Sequence, residues 1–207
     1  MSAPARSEVG APDPASADPL SADPPSADPP GADPPGADPQ SAARLIALRL
    51  LESAPRTRVE LERALARRGV PSDAATAVLD RFTEVGLIDD EAFAQAWVTR
   101  RHNGRGLGRR ALSSELTRRG VAAETVASAV ATVSADDEES AARALVARRL
   151  RTMDGLPVQT QVRRLVGMLG RKGFSQALAV RVAREAVTAD DAVTAADAGA
   201  GEGPRRC

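Results

Sequence analysis

Reactive side chains are scarce in this sequence. Its 207 residues include one histidine, His102, one cysteine, Cys207, and no tyrosine. The sequence therefore lacks the residues for a nucleophile activated by a histidine base and for a metal site of Cys and His ligands. We expect no catalytic site, no cofactor and no metal. Cys207 is the final residue and cannot form a disulfide within the chain, which suits a reducing cytoplasm.

Long apolar runs are missing as well. No stretch approaches the roughly 18 apolar residues of a membrane-spanning helix, and the N-terminus lacks the basic-then-apolar pattern of a signal peptide. We expect a cytoplasmic protein that is monomeric and does not enter a membrane.

The charge is divided unevenly along the chain. Residues 1–40 carry one basic and seven acidic residues, whereas residues 41–188 carry 25 basic and 17 acidic residues. The neutral total therefore combines an acidic tail of charge −6, a basic body of charge +8 and a charge of −2 over residues 189–207. The excess is almost all arginine, since Lys172 is the only lysine. A solvated charged surface and a surface for an anionic partner both fit this excess.

Proline is concentrated in the tail. Residues 1–40 hold eleven of the fifteen prolines, and residues 16–40 read SADPL SADPP SADPP GADPP GADPQ. Proline in every repeat blocks helix formation, and the sparse apolar side chains cannot offset the entropy lost on ordering. We predict that residues 1–40 are disordered, and also a C-terminal tail of residues 189–207. The acidic tail either keeps the protein soluble or screens the basic body.

Residues 41–188 have a different pattern. They contain only three prolines, and their apolar residues recur at helical spacing, as in Leu61 and Leu65 or Phe93 and Trp97. No segment alternates convincingly with period two. We predict an all-α fold with Phe93 and Trp97 in the core, and with helices over residues 41–53, 57–68, 72–85, 90–103, 108–119, 122–134, 136–152, 158–171 and 175–188.

Three segments of this body share one pattern, namely LARRGV (65–70), LTRRGV (116–121) and LGRKGF (169–174). Their glycines, Gly69, Gly120 and Gly173, lie 51 and 53 residues apart. The spacing predicts three tandem units of three helices, over about 41–88, 89–135 and 136–188, whose stacking completes the core. Each glycine is expected to end a helix in the left-handed conformation, after a basic pair that favours the negative end of the helix dipole. A binding role for these basic pairs is the alternative, and the two roles can coexist.

The stretch RRHNGRGLGRR (100–110) is not explained by folding alone. Its glycines suit a turn between two helices, and its arginines are left over for a partner. A phosphate-binding loop is disfavoured, because GRGLG lacks the Lys-Ser/Thr ending of a P-loop and no βαβ pattern surrounds it. The acidic run 136–139 is expected to open a helix rather than to bind a cation.

Residues 86–121, GLIDDEAFAQAWVTRRHNGRGLGRRALSSELTRRGV, resemble the bacterial regulatory protein RecX family. The motifs that carry the resemblance are Gly-Leu-Ile-Asp-Asp at 86–90, Phe93–Ala94, the basic turn 100–110, Glu115–Leu116 and Gly120–Val121. The segment LIALRLLESAPRTRVELERALARRGV (45–70) also resembles the family's opening unit, and the resemblance covers about residues 41–188. It implies an elongated, curved body of three tandem three-helix repeats.

The resemblance also implies a function. Members of this family bind the filament of the RecA recombinase on single-stranded DNA, inhibit its ATP hydrolysis, strand exchange and growth, and thereby regulate recombination, DNA repair and the SOS response without being enzymes. We expect the partner-binding residues to be nine arginines of units two and three: Arg100, Arg101, Arg105, Arg109, Arg110, Arg118, Arg148, Arg149 and Arg151. The alternative is a helical repeat protein that binds single-stranded nucleic acid directly, without sequence preference.

Overall fold

The computed structural model describes residues 38–200, with side chains as far as Asp190, and within that range the backbone forms α-helices and no β-strand. In chain order the helices are α1 (Pro39–Ser53), α2 (Arg58–Arg67), α3 (Ser72–Glu84), α4 (Asp90–Arg105), α5 (Arg109–Arg118), α6 (Ala123–Ala131), α7 (Ala135–Leu150), α8 (Val158–Arg171) and α9 (Gln176–Ala200). The predicted all-α fold is confirmed.

The helices pack most closely within three consecutive groups, which we call unit one (α1–α3), unit two (α4–α6) and unit three (α7–α9). Leu61, Leu112 and Leu165 occupy equivalent positions on the second helix of each unit, and each is 0% exposed. Each therefore contributes to the apolar core of its own unit. The tandem arrangement of three three-helix units, which the spacing of the glycines predicted, is confirmed.

The two ends of the helical region differ from the prediction. Helix α1 begins at Pro39, since proline fits the first turn of a helix, where its missing amide hydrogen is not needed. Helix α9 continues to Ala200, so the predicted start of the C-terminal tail at residue 189 is wrong. Residues 189–198 are rich in alanine, the best helix former, and contain neither proline nor glycine. The remainder of both predicted tails, 1–37 and 201–207, lies outside the described residues.

Local chemistry explains where the internal helices begin and end. Ser134 and Asp137 form a reciprocal capping box at the start of α7, and the Asp89 carboxylate accepts a hydrogen bond from the Ala92 amide at the start of α4. These caps confirm that the acidic runs open helices. Helix α4 extends two residues beyond its predicted end, because Gly106, with φ 57°, is the glycine that adopts the left-handed conformation.

The three glycines of the repeated pattern are left-handed, as predicted, with φ 76° at Gly69, 84° at Gly120 and 85° at Gly173. Two of them have a further role. A Cβ atom at Gly120 would come within 2.5 Å of Val59 in unit one, and one at Gly173 would come within 2.4 Å of the Cβ of Ala111 in unit two. Glycine at these two positions therefore allows neighbouring units to approach closely.

Candidate partner-binding surface

The nine candidate arginines lie in two environments. Six of them are exposed: Arg100, Arg110, Arg118, Arg148, Arg149 and Arg151. Among the residues that the structure describes, no carboxylate forms an ion pair with any of these six side chains. They form the part of the candidate surface that is available to a partner. The other three, Arg101, Arg105 and Arg109, are buried or half-buried.

Arg101 belongs to the core of unit two. It is 5% exposed, its guanidinium lies 4.2 Å from the centroid of the Trp97 ring, and its Nε is 3.4 Å from a carboxylate oxygen of Glu115. The same Glu115 oxygen accepts a hydrogen bond of 2.9 Å from the indole N–H of Trp97. The contacts of Arg101 are therefore internal, and the cation over the ring and the ion pair both stabilise the unit.

A second guanidinium on Trp97 comes from Arg119, which also connects two units. Its Cζ lies 3.9 Å from the Trp97 centroid, and its Nη1 is 2.7 Å from the Glu60 carboxylate of unit one. The backbone oxygen of Arg119 accepts a 2.7 Å hydrogen bond from the Thr57 hydroxyl. We call this contact, between residues 57–60 of unit one and residues 119–120 of unit two, the first link.

Arg109 lies in the corresponding contact between units two and three, where residues 108–111 meet residues 172–173; we call this the second link. The Arg109 amide donates to Glu138 at 3.0 Å, and its guanidinium donates to the backbone oxygen of Val133 and approaches Glu138 at 3.7 Å. In the first link the Arg58 amide, at the equivalent position, donates to Asp90 at 2.9 Å. In units one and two, the second helix is thus capped by an acidic residue from the first helix of the following unit.

The glycine-rich turn has no free backbone donors. Gly106 and Leu107 donate to the carbonyl oxygens of His102 and Arg101, at 2.9 and 3.4 Å. The amides of the next three residues donate across the second link, from Gly108 to Lys172, from Arg109 to Glu138 and from Arg110 to Gly173. Because a phosphate-cradling loop must point unpaired amides at its ligand, this turn is a helix–helix junction, as its sequence predicted.

Lys172 is a residue of this surface that is not among the nine predicted arginines, because the helix-dipole role was favoured over a binding role for its basic pair. Its ammonium donates a 2.6 Å hydrogen bond to the backbone oxygen of Arg105. Burial lowers the pKa of Lys172, and the positive charges of Arg105 and Arg148 lower it further. Three cations from both sides of the second link therefore act on one another. The sequence contains one signal that could have identified this residue: Lys172, the only lysine, precedes its glycine at the position where unit two has Arg119.

No helix in the described part of the chain has both the length and the apolar character that crossing a membrane requires.

Comparison with known proteins identifies the three units individually. Family models match residues 43–82 as the first three-helix domain of RecX, residues 89–130 as the second and residues 136–182 as the third. Each matched segment corresponds to one unit and begins within four residues of that unit's first helix, and the third match ends at residue 182, inside α9.

Relatives of similar length are regulatory proteins. The chain is 55% identical to Regulatory protein RecX of Thermobifida fusca over 148 residues. The aligned region covers 72% of this chain and 80% of that protein. It is 54% identical over 145 residues to Regulatory protein RecX of Streptomyces coelicolor, covering 70% of this chain and 77% of that protein.

A solved structure has the same fold. The crystal structure of RecX from Lactobacillus salivarius superposes with a TM-score of 0.67 at 20% sequence identity, over 72% of this chain and 96% of that one. With three matching domains and relatives above 50% identity, the chain belongs to the RecX family of regulatory proteins.

Proposed function

We propose that this protein binds the RecA recombinase filament on single-stranded DNA and inhibits its ATP hydrolysis, strand exchange and growth. The observation that carries the proposal is the group of six exposed arginines without ion pairs in units two and three, on a chain of the RecX family. A regulator that acts by binding needs such a surface and needs no catalytic residues. Localisation to the cytoplasm, where such a filament forms, is part of the same proposal.

Charge and shape both favour a helical nucleoprotein as the partner. Residues 41–188 carry a net charge of +8, which attracts the phosphates and acidic surfaces of a protein–DNA filament over several ångströms. Stacked helical units also provide an extended surface, and a curved stack of three units can follow a groove that winds around DNA.

Within this proposal the candidate arginines have different roles, according to their burial and ion pairs. Arg101 and Arg109 act as positioning residues, because their guanidiniums bind Glu115 and Glu138 inside the protein. The contacts with the filament come from the six exposed arginines. Arg110 and Arg118 lie eight residues apart on α5, about two helical turns, so they project from the same side.

A triple variant tests the exposed arginines of unit two. We expect Arg100→Ala, Arg110→Ala and Arg118→Ala together to raise the concentration needed for half-inhibition of RecA ATP hydrolysis about tenfold. Each exposed charge contact contributes on the order of 0.5 kcal/mol, and about 1.4 kcal/mol corresponds to a factor of ten. Helix content, measured by circular dichroism, should not change, because none of the three side chains has an internal ion pair among the described residues.

The matched control removes the same charge from unit one. Arg44, Arg49 and Arg67 are exposed and, within the described residues, also without ion pairs. The control triple Arg44→Ala, Arg49→Ala and Arg67→Ala should change half-inhibition less than about threefold, the effect of a general loss of charge. Equal losses in the two triple variants would show that the arginines of unit two are not the contact.

A further inference from the structure

Both links set a left-handed glycine of one unit against the start of the second helix of the preceding unit, but they differ in charge balance. In the first link, Arg119 stands directly before the left-handed Gly120 and forms a 2.7 Å ion pair with Glu60. In the second link, Lys172 stands directly before the left-handed Gly173. The position equivalent to Glu60, the third residue of the second helix, is Ala111. The carboxylate that compensates the cation in the first link is thus missing from the second.

Two further cations act on Lys172 instead. Lys172 is bonded to the backbone oxygen of Arg105, the last residue of α4, at 2.6 Å. Arg148 lies on α7, three residues after Leu145, whose side chain is 3.2 Å from the position that a Cβ atom of Gly106 would occupy. Residues three apart share a helix face, so Arg148 emerges beside the same turn. Helices α4, α7 and the end of α8 each contribute one positive charge.

The protein itself does not neutralise this basic cluster of Arg105, Arg148 and Lys172. None of the three has an ion pair with a carboxylate in the described part of the chain. The nearby Glu138 is occupied by Arg109. Burial lowers the pKa of Lys172, and the positive charges of Arg105 and Arg148 lower it further; a bound anion would offset the repulsion among these charges.

The chemistry of the cluster fits a phosphate group. Arginine offers a planar pair of donors to two oxygens of a phosphate, and lysine offers a compact charge. Arg148 is exposed, and so are the nearby residues Arg149 and Arg151. The positive surface therefore continues beyond the cluster and does not enclose a small ion. An open, continued cationic surface suits a polyanion.

The burial of the aromatic residues indicates which part of a nucleic acid this surface could bind. All four of them are buried: Phe82, Phe93, Trp97 and Phe174 are 5%, 8%, 3% and 2% exposed. No aromatic platform is therefore available on which bases could stack, and contact must be made with the sugar–phosphate backbone.

From these contacts we infer that Arg105, Arg148 and Lys172 form a site for one phosphodiester of single-stranded DNA, at the link between units two and three. The inference deepens the proposed function, because the filament contains such a strand, and it rests on that function for its biological setting. Recognition through phosphate makes this site indifferent to base sequence.

Binding to a fluorescein-labelled oligothymidylate, measured by anisotropy over a range of salt concentrations without recombinase, tests the site. We expect the double variant Arg148→Ala, Lys172→Gln of the full chain to bind about tenfold more weakly at low salt. The slope of log affinity against log salt should fall by about 0.7, the value for one phosphate contact on a single strand. The control Arg49→Ala, Arg67→Ala removes two exposed charges from unit one and should change affinity less than about threefold.

Replacing Lys172 also removes its hydrogen bond to the backbone oxygen of Arg105 and could alter the link itself. A second variant therefore tests the charge of the cluster without removing this hydrogen bond. Arg148→Glu leaves the hydrogen bond from Lys172 to Arg105 in place and puts a carboxylate at an exposed position of the cluster. It should weaken oligothymidylate binding to a similar extent, because the new carboxylate competes with phosphate for Lys172. Melting followed by circular dichroism verifies that each variant is folded.

Three results would overturn the inference. One is an equal loss of affinity in the double variant and in the control, which would indicate diffuse electrostatic attraction. Another is unchanged binding by a folded double variant. The third is wild-type protein that inhibits RecA but binds no oligothymidylate at low salt. That result removes the phosphate site and leaves the proposed function intact, so the two can fail separately.

Discussion

Arg100 and Arg101 are neighbours in the sequence, and their side chains lie in different environments. Arg100 is exposed, whereas Arg101 is 5% exposed and lies against Trp97 and Glu115. Consecutive residues of a helix point about 100° apart, so one can face solvent while the next faces the core. The number of arginines in the stretch 100–110 therefore overstates the number that a partner can reach.

This difference predicts unequal effects on stability. We expect Arg101→Ala to lower the free energy of unfolding by about 3 kcal/mol, because it leaves the Glu115 carboxylate without its cation and removes one guanidinium from the Trp97 ring. Arg100→Ala is the matched control and should change it by less than about 0.5 kcal/mol. Urea unfolding followed by circular dichroism measures both. Similar midpoints for the two variants would contradict the placement of Arg101 in the core.

At the scale of single residues, the features that the sequence predicts correctly are those with a local cause. The left-handed glycines and the burial of Phe93 and Trp97 follow from backbone conformation and from helical spacing, and the structure confirms them. The roles of Arg109 and Lys172 did not follow. Their partners, Glu138 and the backbone oxygen of Arg105, lie 29 and 67 residues away in the sequence, and only the stacking of units brings them together.

At the scale of whole helices, the internal boundaries agree with the prediction to within three residues, because caps are encoded by a few adjacent residues. Ser134 with Asp137 at the start of α7 is one example. The end of α9 had no such signal, since alanine-rich sequence continues without a glycine or proline stop until Gly199.

Helices α7 and α9 are joined by a network of four charged residues. The Glu139 carboxylate on α7 accepts hydrogen bonds from Arg181 on α9, at 2.6 and 2.8 Å, and from Arg143, at 2.7 and 3.0 Å. Arg143 also binds Glu185 of α9 at 2.6 Å. The hydrogen bonds from Arg181 and Arg143 lower the pKa of Glu139 from its usual 4.5 to about 2.

This network predicts a specific loss of stability in acid. A carboxylate whose folded pKa is about 2 and whose unfolded pKa is near 4.5 stabilises the fold above pH 4.5, and that contribution is lost as the pH falls toward 2. We expect Glu139→Gln to unfold at a lower urea concentration than wild type at neutral pH, and the difference to shrink below pH 4.5. Glu62→Gln, which changes an exposed carboxylate without an ion pair among the described residues, is the control. A difference between wild type and Glu139→Gln that stays constant down to pH 3 would refute this account.

At the scale of the whole molecule, the repeat in the sequence predicted the number and order of the units. Glycines 51 and 53 residues apart were sufficient, because each unit repeats the same helix ending. The links between units were not predicted. Each link joins the start of a helix in one unit to the end of a helix and an acidic residue in the next unit. A sequence pattern within a single unit contains only some of these residues, so it does not predict the link.

The links also separate structural arginines from those that a partner can reach. Arg109 and Arg119 hold neighbouring units together through Glu138 and Glu60. The exposed arginines of units two and three form no such contact, and under the proposed function they are the ones that would meet the filament. The sequence was therefore sufficient to nominate nine candidate arginines, whereas which of them are exposed and which are paired inside the protein depends on tertiary contacts.

The most direct test of the central claim is the rate of ATP hydrolysis by RecA on single-stranded DNA, titrated with the full-length protein at low salt. A regulator that binds along the filament should lower the rate at fewer than one molecule per recombinase monomer. A rate that does not change even at equal stoichiometry would contradict the claim that this protein acts on the filament.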